Sequence, residues 1–351
     1  MPGAFTVRVE PVGRELTCRG DQSLLDACLR EGVWLPHACT HGTCGTCKAQ
    51  ILEGEVDHRD SSSFALLEME RVEGQALICT ARPRSDVVIE GEVDVPEGVE
   101  MHPVRDLVAT VAEVTEPARD VRVLRLDLDE DLSFNPGQYV QVDLPGADDT
   151  RSFSLANPPS EPRRLELHVK RTPGGLATDG WIFATLEVGA RVGVTGPFGQ
   201  FCFRPARTES MLLLAGGTGL APIKSIVAHV LGSGLDREMT VYHGVATAAD
   251  LYDWSWFEAA AAAHPDRLRF LPALSREDWN GRTGRIPDQL AADFERCAGH
   301  VAYVCGSPAF VDDTMKALMR KRLFPRDIAR EDFYDLSDKV GAGVRSPLLK
   351  R

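Results

Sequence analysis

The chain has 351 residues, 43% of them hydrophobic, and a formal net charge of −13 at pH 7. That length suffices for two or three domains, and no apolar run approaches the roughly 18 residues that a membrane-spanning helix needs. The negative charge argues against a nucleic-acid partner, because phosphate contacts need lysine and arginine.

The negative charge is concentrated toward the N-terminus. Residues 1–98 carry nine basic and 17 acidic side chains, residues 99–205 carry 11 and 16, and residues 206–351 carry 19 of each. This distribution favours electrostatic docking of the N-terminal region onto a basic surface. A contribution to solubility alone is the alternative.

Residues 1–95 have the pattern of a small domain with short strands and one helix. Two alternating stretches around a turn at Gly13 predict a hairpin. Helical apolar spacing follows, with Gly32 as its C-terminal cap. The hairpin strands, the helix and two later strands are predicted at residues 5–10, 14–18, 23–30, 48–53 and 87–90.

Four cysteines in this region have a characteristic spacing. Cys39, Cys44 and Cys47 follow the pattern C-x4-C-x2-C, and Cys79 comes after a long gap. This is the plant-type spacing for a [2Fe–2S] cluster, in which four thiolates hold two irons. The residues between the first three cysteines are small and include glycines, so the backbone can fold closely around a cluster.

Two other interpretations of these cysteines are weaker. A zinc site would have paired C-x2-C knuckles or regularly spaced histidines, and Cys79 has no neighbouring cysteine of that kind. Disulfides are disfavoured because the N-terminus does not resemble a signal peptide, so we expect a reducing cytoplasm. Four of the other cysteines are expected to be small buried residues: Cys18, Cys28, Cys202 and Cys297.

The hairpin, helix, cysteine loop and strands of residues 1–95 resemble the β-grasp fold of plant-type ferredoxins. Residues 96–106 contain two prolines and little apolar periodicity, which predicts a linker. Residues 107–206 are dominated by strand patterns and predict a six-stranded antiparallel β-barrel. Predicted strands of the barrel include residues 108–114, 121–128, 138–144, 165–169 and 191–194.

Residues 207–351 alternate between strand and helix patterns, which predicts a parallel α/β sheet of the nucleotide-binding type. The fold class is therefore multidomain, α+β followed by α/β. The predicted strands are residues 211–215, 238–243, 267–273 and 300–305, and the predicted helices are residues 222–231, 254–264 and 308–321.

A tetrapeptide in the barrel, Arg151-Ser152-Phe153-Ser154, is similar to the R-x-[YF]-S motif of the ferredoxin–NADP reductase superfamily, and a Pro-Gly-Gln stretch ending at Tyr139 precedes it. The resemblance implies that these five residues bind FAD. Arg151 would pair with the pyrophosphate, Phe153 would pack on the isoalloxazine, and the Ser154 hydroxyl would lie near flavin N5.

Further along the barrel, a strand end and a Gly-Gly turn also resemble flavin-binding segments of this superfamily. The strand end would supply main-chain contacts to the flavin, and the turn would open a helix that meets the pyrophosphate. The alternative for the two glycines is a simple turn without a binding role. The residues concerned are His168, Val169, Lys170, Gly174, Gly175, Leu176, Ala177 and Thr178.

The α/β region contains two nicotinamide signatures. A turn between its first strand and first helix is where a dinucleotide pyrophosphate binds, and this chain has the G-G-x-G-x-x-P variant of ferredoxin reductases. Near the end a C-G-x-P motif follows a strand, and the resemblance places its cysteine near the nicotinamide. The residues are Gly216, Gly217, Thr218 and Gly219, then Cys305, Gly306 and Ser307. A buried strand residue is the alternative for Cys305.

The C-terminal region contains Glu331 and Phe333. In ferredoxin reductases an aromatic residue near the C-terminus covers the flavin, which implies this role for Phe333. Glu331 would then lie near the reaction centre, with Ser154 and Cys305 as the other catalytic residues. Unlike reductases that end on the aromatic residue, this chain continues for 18 residues beyond Phe333.

The order of ferredoxin, FAD and NAD domains resembles the reductase components of bacterial multicomponent oxygenases, most closely those of phenol hydroxylases. The resemblance implies that electrons pass from NADH to FAD, then to the [2Fe–2S] cluster, and finally to a separate hydroxylase, a diiron enzyme in that family. NADH is preferred over NADPH on the same ground, although Arg276 after Ser275 could contact a 2′-phosphate.

Two alternative functions share some of these features. A reductase for a Rieske-type ring-hydroxylating dioxygenase has the same three domains. A non-catalytic iron–sulfur binding or regulatory protein would retain the fold without NADH-driven electron transfer. The intact flavin and nicotinamide motifs favour a reductase.

Overall fold

A computed structural model describes residues 3–91, 95–147 and 149–333 of the chain. The fold divides into two compact units, and the boundary lies between Arg105 and Asp106. None of the helices in the described ranges combines the length and apolar character needed to cross a lipid bilayer.

The first unit is a mixed sheet with a helix packed against it. The strand order is β2-β1-β7-β3-β5, with β1 antiparallel to β2 and parallel to β7. Its elements are β1 (Ala4–Glu10), β2 (Arg14–Arg19), α1 (Leu24–Arg30), β3 (Lys48–Glu53), β4 (Val56–Asp57), α2 (Glu68–Val72), β5 (Gln75–Leu77), β6 (Arg82–Pro83) and β7 (Val87–Glu90).

Helix α1 begins and ends with the signals that the sequence contains. Ser23 is its N-cap, and the Ser23 hydroxyl accepts a hydrogen bond from the Asp26 N–H at 3.1 Å. Gly32, just beyond the helix, has φ +70°, a conformation that terminates helices and favours glycine. The apolar face between these caps is buried against the sheet.

Part of the segment predicted as a linker is hydrogen-bonded to the first unit. Trp34 Nε1 donates to the His102 carbonyl at 3.4 Å, and the Val104 N–H donates to the Leu29 carbonyl at 3.2 Å. Residues 102–104 are therefore anchored on α1 and the chain that follows it.

The second unit contains an antiparallel sheet of six strands in the order β11-β10-β13-β8-β9-β12. An isolated bridge between Leu155 and Leu167 joins the chain after β11 to β12, the two ends of the sheet, and closes it as the sequence predicts. The strands are β8 (Arg105–Ala118), β9 (Val121–Leu128), β10 (Tyr139–Asp143), β11 (Thr150–Ser154), β12 (Arg164–Lys170) and β13 (Arg191–Phe198).

The same unit contains a parallel sheet in the order β17-β16-β15-β14-β18-β19. The chain builds outward from β14 to β16 and then returns to the other side of β14 with β18, so the order reverses between β14 and β18. The elements are β14 (Ser210–Gly216), α3 (Leu220–Gly232), β15 (Met239–Val245), α4 (Trp254–Ala263), β16 (Leu268–Leu274), β17 (Arg282–Thr283), α5 (Ile286–Asp293), β18 (His300–Gly306), α6 (Pro308–Arg320) and β19 (Ile328–Asp332).

Each sheet of the second unit has its own buried core. Val111, Leu126 and Leu167 lie inside the barrel, whereas Leu213, Val241 and Cys305 belong to the core of the parallel sheet. The central strands of the parallel sheet are buried on both faces, which explains their continuous apolar sequences.

Candidate functional site

The four predicted cluster ligands lie together in the first unit as two pairs. Cys39 is hydrogen-bonded to Cys44, and Cys47 is hydrogen-bonded to Cys79. Three of these residues belong to the loop between α1 and β3, and Cys79 follows β5, which pairs with β3. The sheet therefore brings the distant fourth thiol back to the loop.

Each pair is arranged to hold a thiolate. The hydrogen bond with Cys44 lowers the pKa of Cys39 to about 4, against the opposing effect of burial. The backbone N–H groups of Thr43 and Cys44 also lie 3.4 Å from the Cys39 sulfur. The hydrogen bond with Cys79 lowers the pKa of Cys47 in the same way. Thiolates are the form in which cysteine binds metal, so this donor set fits iron ligation.

The separation of the sulfurs distinguishes one metal ion from two. Four thiolates around a single zinc lie about 3.8 Å apart, because Zn–S bonds are about 2.3 Å and tetrahedral. Within the described residues, only Glu166, His168 and Asp253 form a group of three or more potential ligands with all ligand atoms within 4.8 Å of one another. No three of the four cysteine sulfurs meet that limit, so two separated pairs fit a binuclear cluster.

One glycine lets the cysteine loop approach the segment that carries the fourth ligand. Gly42 has φ +79°, a conformation that side chains other than glycine rarely adopt. A Cβ at Gly42 would also lie 2.9 Å from the side chain of Thr80, the residue after Cys79. Glycine is therefore required at position 42 both for its backbone conformation and for its lack of a side chain.

The three predicted catalytic residues converge in the second unit. Ser154 ends β11, and the parallel pairing of β18 with β19 places Cys305 directly opposite Glu331. Ser154 Oγ donates to Glu331 Oε2 at 3.4 Å, and Cys305 Sγ lies 4.0 Å from the same oxygen. Residues far apart in the sequence therefore meet where the barrel adjoins the parallel sheet.

This meeting point consists of uncharged polar groups at neutral pH. Burial raises the pKa of Glu331 to about 8, although the hydrogen bond from Ser154 acts in the opposite direction. Burial raises the pKa of the Cys305 thiol well above its usual value. A carboxylic acid, a hydroxyl and a thiol suit contact with the polar edge of a neutral ring such as a flavin or nicotinamide.

The predicted flavin residue Tyr139 lies on the strand beside this point. Tyr139 of β10 is directly opposite Ser154 of β11, and its ring stacks on Phe198 with 5.7 Å between centroids. A Cβ at Gly199 would lie 2.9 Å from the Tyr139 ring, so the glycine leaves room for that ring. Tyr139 is thereby held rigidly beside Ser154.

The other residues of the tetrapeptide have different surroundings along β11. Arg151 forms an ion pair with Asp149, with 2.6 Å between Nη1 and Oδ2, and Ser152 is exposed. Phe153 packs against the barrel core beside Trp181. Phe153 therefore also stabilises the barrel, in addition to the flavin contact that the sequence predicts.

The predicted glycine turn leads into a short π-helix, Thr178–Ile182. Gly174 has φ +72°, and its N–H donates to Asp179 Oδ2 at 2.9 Å. Gly175 lies in close contact with Thr172 and Thr178, while Leu176 is exposed and Ala177 is buried. π-helical turns are rare, and the flavin contact of this segment stays a prediction.

The three predicted residues at the end of β12 differ in their surroundings. Val169 lies in the barrel core, and Lys170 lines a cavity in the second unit. The ring of His168 is buried, with Nε2 2.9 Å from Glu166 Oε1 and Nδ1 3.2 Å from Tyr252 Oη. Because its ring is occupied in this way, the flavin contact predicted for the main chain of His168 does not involve the ring and stays a prediction.

The cavity that Lys170 lines has a volume of about 320 Å³ and lies at the carboxyl end of the parallel sheet. Residues 216–218 and Ser307 of the nicotinamide motifs line it. Gly219 instead packs closely on β18. A Cβ at Gly219 would lie only 2.2 Å from the Cys305 carbonyl oxygen. Dinucleotides bind such sheets where the strand order reverses, and this cavity is at that position.

Sequence reasoning named Lys170 and Ser275 but missed most other lining residues from outside the glycine motifs. Lys170 and Arg285 bring positive charge to the cavity, as a pyrophosphate requires. The missed residues lie mostly in loops after β15 and β16 and at the start of α5. The carboxyl ends of the predicted strands could have indicated the first two loops, because ligands bind parallel sheets at that edge. They include Val245, Ala246, Asp250, Tyr252, Arg285 and Pro287.

Phe333 is the last residue that the structure describes. Its N–H donates to the Gly306 carbonyl at 2.8 Å, and its half-buried ring packs against the core of the parallel sheet. The predicted cover of the flavin by Phe333 stays a prediction, and the 18 residues beyond it lie outside the described part of the chain.

Three family models match the chain in succession. A 2Fe-2S iron-sulfur cluster binding domain matches residues 7–84, an oxidoreductase FAD-binding domain matches residues 108–203, and an oxidoreductase NAD-binding domain matches residues 213–316. These matches confirm the predicted cofactor classes and their order along the chain.

Individual relatives match over nearly the whole chain. The reductase component DmpP of phenol 2-monooxygenase from Pseudomonas sp. (strain CF600) is 42% identical over 99% of both chains. The reductase subunit of an aromatic O-demethylase from Amycolatopsis sp. is 46% identical over 94% of this chain and 99% of that protein. The crystal structure of the Amycolatopsis cytochrome P450 reductase GcoB has a TM-score of 0.89 and 46% identity, and covers 94% of this chain and 98% of its own.

Proposed function

This chain belongs to the family of iron–sulfur flavoprotein reductase components of bacterial oxygenases, which includes those of phenol hydroxylases, and we propose that it carries electrons from NADH to a separate hydroxylase. When bound, the three groups supply the redox chemistry: NADH donates electrons in pairs, and FAD and the [2Fe–2S] cluster pass them on singly. The protein itself binds, orients and shields these groups.

The observation that carries this proposal is the convergence of Ser154, Cys305 and Glu331. Ser154 comes from the FAD-binding region and the other two come from the NAD-binding region, yet Ser154 and Cys305 both lie next to the same carboxylate oxygen of Glu331. Ser307, two residues after Cys305, lines the dinucleotide cavity. A ring held at Ser154 and a ring entering from the cavity would therefore meet at Glu331.

The remaining residues hold the groups in place. Arg151 provides a charge for the FAD pyrophosphate, and residues 216–218 present glycine-rich backbone to the NADH pyrophosphate. The Glu331 carboxyl, protonated at neutral pH, can donate a hydrogen bond to a ring atom. Cys39, Cys44, Cys47 and Cys79 would hold the cluster through their thiolates.

NADH is the proposed electron donor rather than NADPH. The Ser275 hydroxyl donates to the Val245 carbonyl at 3.2 Å, and Arg276 does not line the cavity that the described residues form. Ser275 nevertheless lines the cavity and Arg276 is exposed next to it, so the choice of NADH rests on the family to which the chain belongs. A kcat/KM for NADPH equal to that for NADH would contradict this choice.

The proposed partner is a phenol-hydroxylase-type diiron oxygenase, and the proposed location is the cytoplasm. The relatives from phenol hydroxylases cover 99% of this chain, whereas the Amycolatopsis reductase covers 94%. All nine cysteines are free thiols, which suits a reducing compartment. The second candidate is a cytochrome P450 partner, which the 46% identity to a cytochrome P450 reductase favours.

Cys44→Ala tests the proposed path. We expect the variant to lose NADH-driven reduction of cytochrome c, which takes electrons from the cluster, and to keep reduction of ferricyanide by the flavin. Cys28→Ala changes a buried cysteine of the same unit and should keep both activities. Retention of cytochrome c reduction by Cys44→Ala would contradict the ligand assignment. Coupled turnover with a diiron hydroxylase, a Rieske oxygenase or a cytochrome P450 then identifies the partner class.

A further inference from the structure

Four large apolar side chains are exposed within nine residues of the first unit. Phe64 and Val72 are 80% and 82% exposed, and Leu67 and Met69 are also more than half exposed. These four residues, here called the 64–72 surface, are four of the ten exposed large hydrophobic residues in the described ranges. Such a concentration of apolar area on a folded protein marks an interaction site.

Contacts of its own hold the 64–72 surface in place, although these four side chains stay exposed in the part of the chain that the structure describes. Helix α2, which carries Met69 and Val72, buries none of its five residues. The segment is anchored by fully buried Leu66 and by Glu70, which accepts a hydrogen bond from the Leu67 N–H at 2.8 Å and from Lys48 Nζ at 2.5 Å. A preformed surface loses little conformational freedom on binding, which favours rapid, reversible association.

This surface adjoins the loop that carries the cluster ligands. The Ser62 N–H donates to the Gly42 carbonyl at 3.1 Å, and a Cβ at Gly45 would lie 3.5 Å from the Ala65 carbonyl oxygen. Cys44, next to Gly45, is the least buried of the four ligands. A protein seated on the 64–72 surface would therefore lie beside the most exposed edge of the cluster, and electron tunnelling is fastest over short distances.

The charge around this surface indicates which protein it receives. Residues 53–73 contain seven carboxylates and two arginines. Glu70 pairs with Lys48 and Asp57 with Arg84, and the remaining excess of negative charge attracts a basic partner. The FAD-binding region of the same chain is itself acidic, with 16 acidic and 11 basic side chains in residues 99–205. Like charges disfavour that region as the occupant, and a separate basic protein is favoured.

We propose that the 64–72 surface is the docking site for the oxygenase, through a patch on that partner that is apolar at its centre and basic at its rim. This assignment rests on the proposed function, since it places the exit of electrons at the cluster. The apolar side chains supply affinity, and the surrounding carboxylates supply steering and a dependence on salt.

The double variant Phe64→Ser/Val72→Ser tests the proposal in the intact, cofactor-loaded protein. The probes are the hydroxylase component of a phenol hydroxylase and cytochrome c, a basic one-electron acceptor. We expect KM for both acceptors, and the Kd for the oxidised hydroxylase by calorimetry, to rise about tenfold, since a few central apolar residues dominate such interfaces. Val12→Ser, an exposed apolar residue in the hairpin of the same unit, should change neither.

The remaining outcomes distinguish the oxygenase from the chain's own FAD region as the occupant of the 64–72 surface. Ferricyanide reduction and the rate of NADH-driven bleaching of the cluster should stay at the wild-type level. If bleaching slows while KM and Kd stay unchanged, the surface serves the chain's own FAD region and the proposal is wrong. Unchanged KM, Kd and bleaching in the double variant also overturn it and leave the proposed function intact. A wild-type protein that reduces neither acceptor overturns both.

Discussion

Lys224 Nζ lies 2.6 Å from Glu166 Oε1 and links the two sheets of the second unit, since Lys224 belongs to α3 and Glu166 to barrel strand β12. Asp253 Oδ2 lies 2.8 Å from the same nitrogen, and His168 donates to Glu166. Although burial opposes ionisation, His168 and Lys224 hold the pKa of Glu166 below its usual range. The ammonium supplies the positive charge that two buried carboxylates need.

Lys224→Met is expected to lower the free energy of unfolding by about 3–5 kcal/mol, because it leaves Glu166 and Asp253 buried without their cation. Urea unfolding of the loaded protein measures the change. Lys316→Met is the control, because Lys316 is exposed and pairs with Asp313 only at 3.5 Å; it should change stability by less than about 0.5 kcal/mol. Equal losses in the two variants would show that the buried ion cluster is not stabilising.

Gly219→Ala is expected to weaken NADH binding while leaving FAD in place. A Cβ at Gly219 would lie 2.2 Å from the Cys305 carbonyl oxygen, so α3 must move away from β18 and carry the glycine turn with it. We expect KM for NADH to rise by about tenfold or more, which corresponds to ~1.4 kcal/mol, and the flavin content per protein to stay constant.

Gly232→Ala is the matched control for this change. Gly232 ends the same helix, and a Cβ there meets nothing within 4 Å. This variant should keep the wild-type KM and gain a few tenths of a kcal/mol in stability, because alanine restricts the unfolded chain. If Gly219→Ala behaves like Gly232→Ala, close packing of the turn on β18 is not what forms the NADH site.

The sequence predicts those parts of the fold whose signals are local. Strand β14 was expected at residues 211–215 and occurs at Ser210–Gly216, because a buried central strand is apolar throughout. The cysteine spacing likewise identified the four thiols that the sheet brings together. Edge strand β19 was missed, since Ile328–Asp332 is mostly polar and is a strand through its pairing with β18.

Long-range relationships could not be predicted in this way. Glu166, Lys224 and Asp253 belong to three separate elements, and no spacing rule connects them before the two sheets are packed together. Helix α5 was also missed, because it buries only Ile286 and Leu290 and so lacks a strong apolar repeat. The contact between Ser154 and Glu331 was anticipated only through family resemblance.

Arg151→Ala is expected to reduce FAD affinity by roughly ten- to a hundredfold, as the loss of a charge-assisted hydrogen bond to a pyrophosphate implies. The flavin-to-protein ratio after gel filtration measures it. The variant also removes the 2.6 Å ion pair between Arg151 and Asp149. Arg163→Ala removes an exposed barrel arginine paired with Asp131 and should retain FAD fully; equal retention by Arg151→Ala would contradict the assignment.

Glu331→Gln is expected to change how stability depends on pH. Burial raises the pKa of Glu331 to about 8 in the folded protein, whereas an unfolded glutamate titrates near pH 4.3. Between these values the folded state holds a proton that the unfolded state has released. The wild-type free energy of unfolding should therefore contain a contribution that falls as pH rises from about 4.5 to 8, by at most about 1.4 kcal/mol per pH unit.

The glutamine variant lacks this titration but keeps a polar group that can accept from Ser154. Relative to the wild type, it should thus gain stability steadily between pH 5.5 and pH 7.5 in urea unfolding experiments. Exposed Glu187→Gln should show no such gain. Because the same proton lets Glu331 donate a hydrogen bond at the meeting point of the two rings, wild-type kcat should decline above about pH 8 and that of Glu331→Gln should not. Parallel stability profiles for wild type and Glu331→Gln would mean that the surroundings of Glu331 do not raise the pKa of this carboxyl.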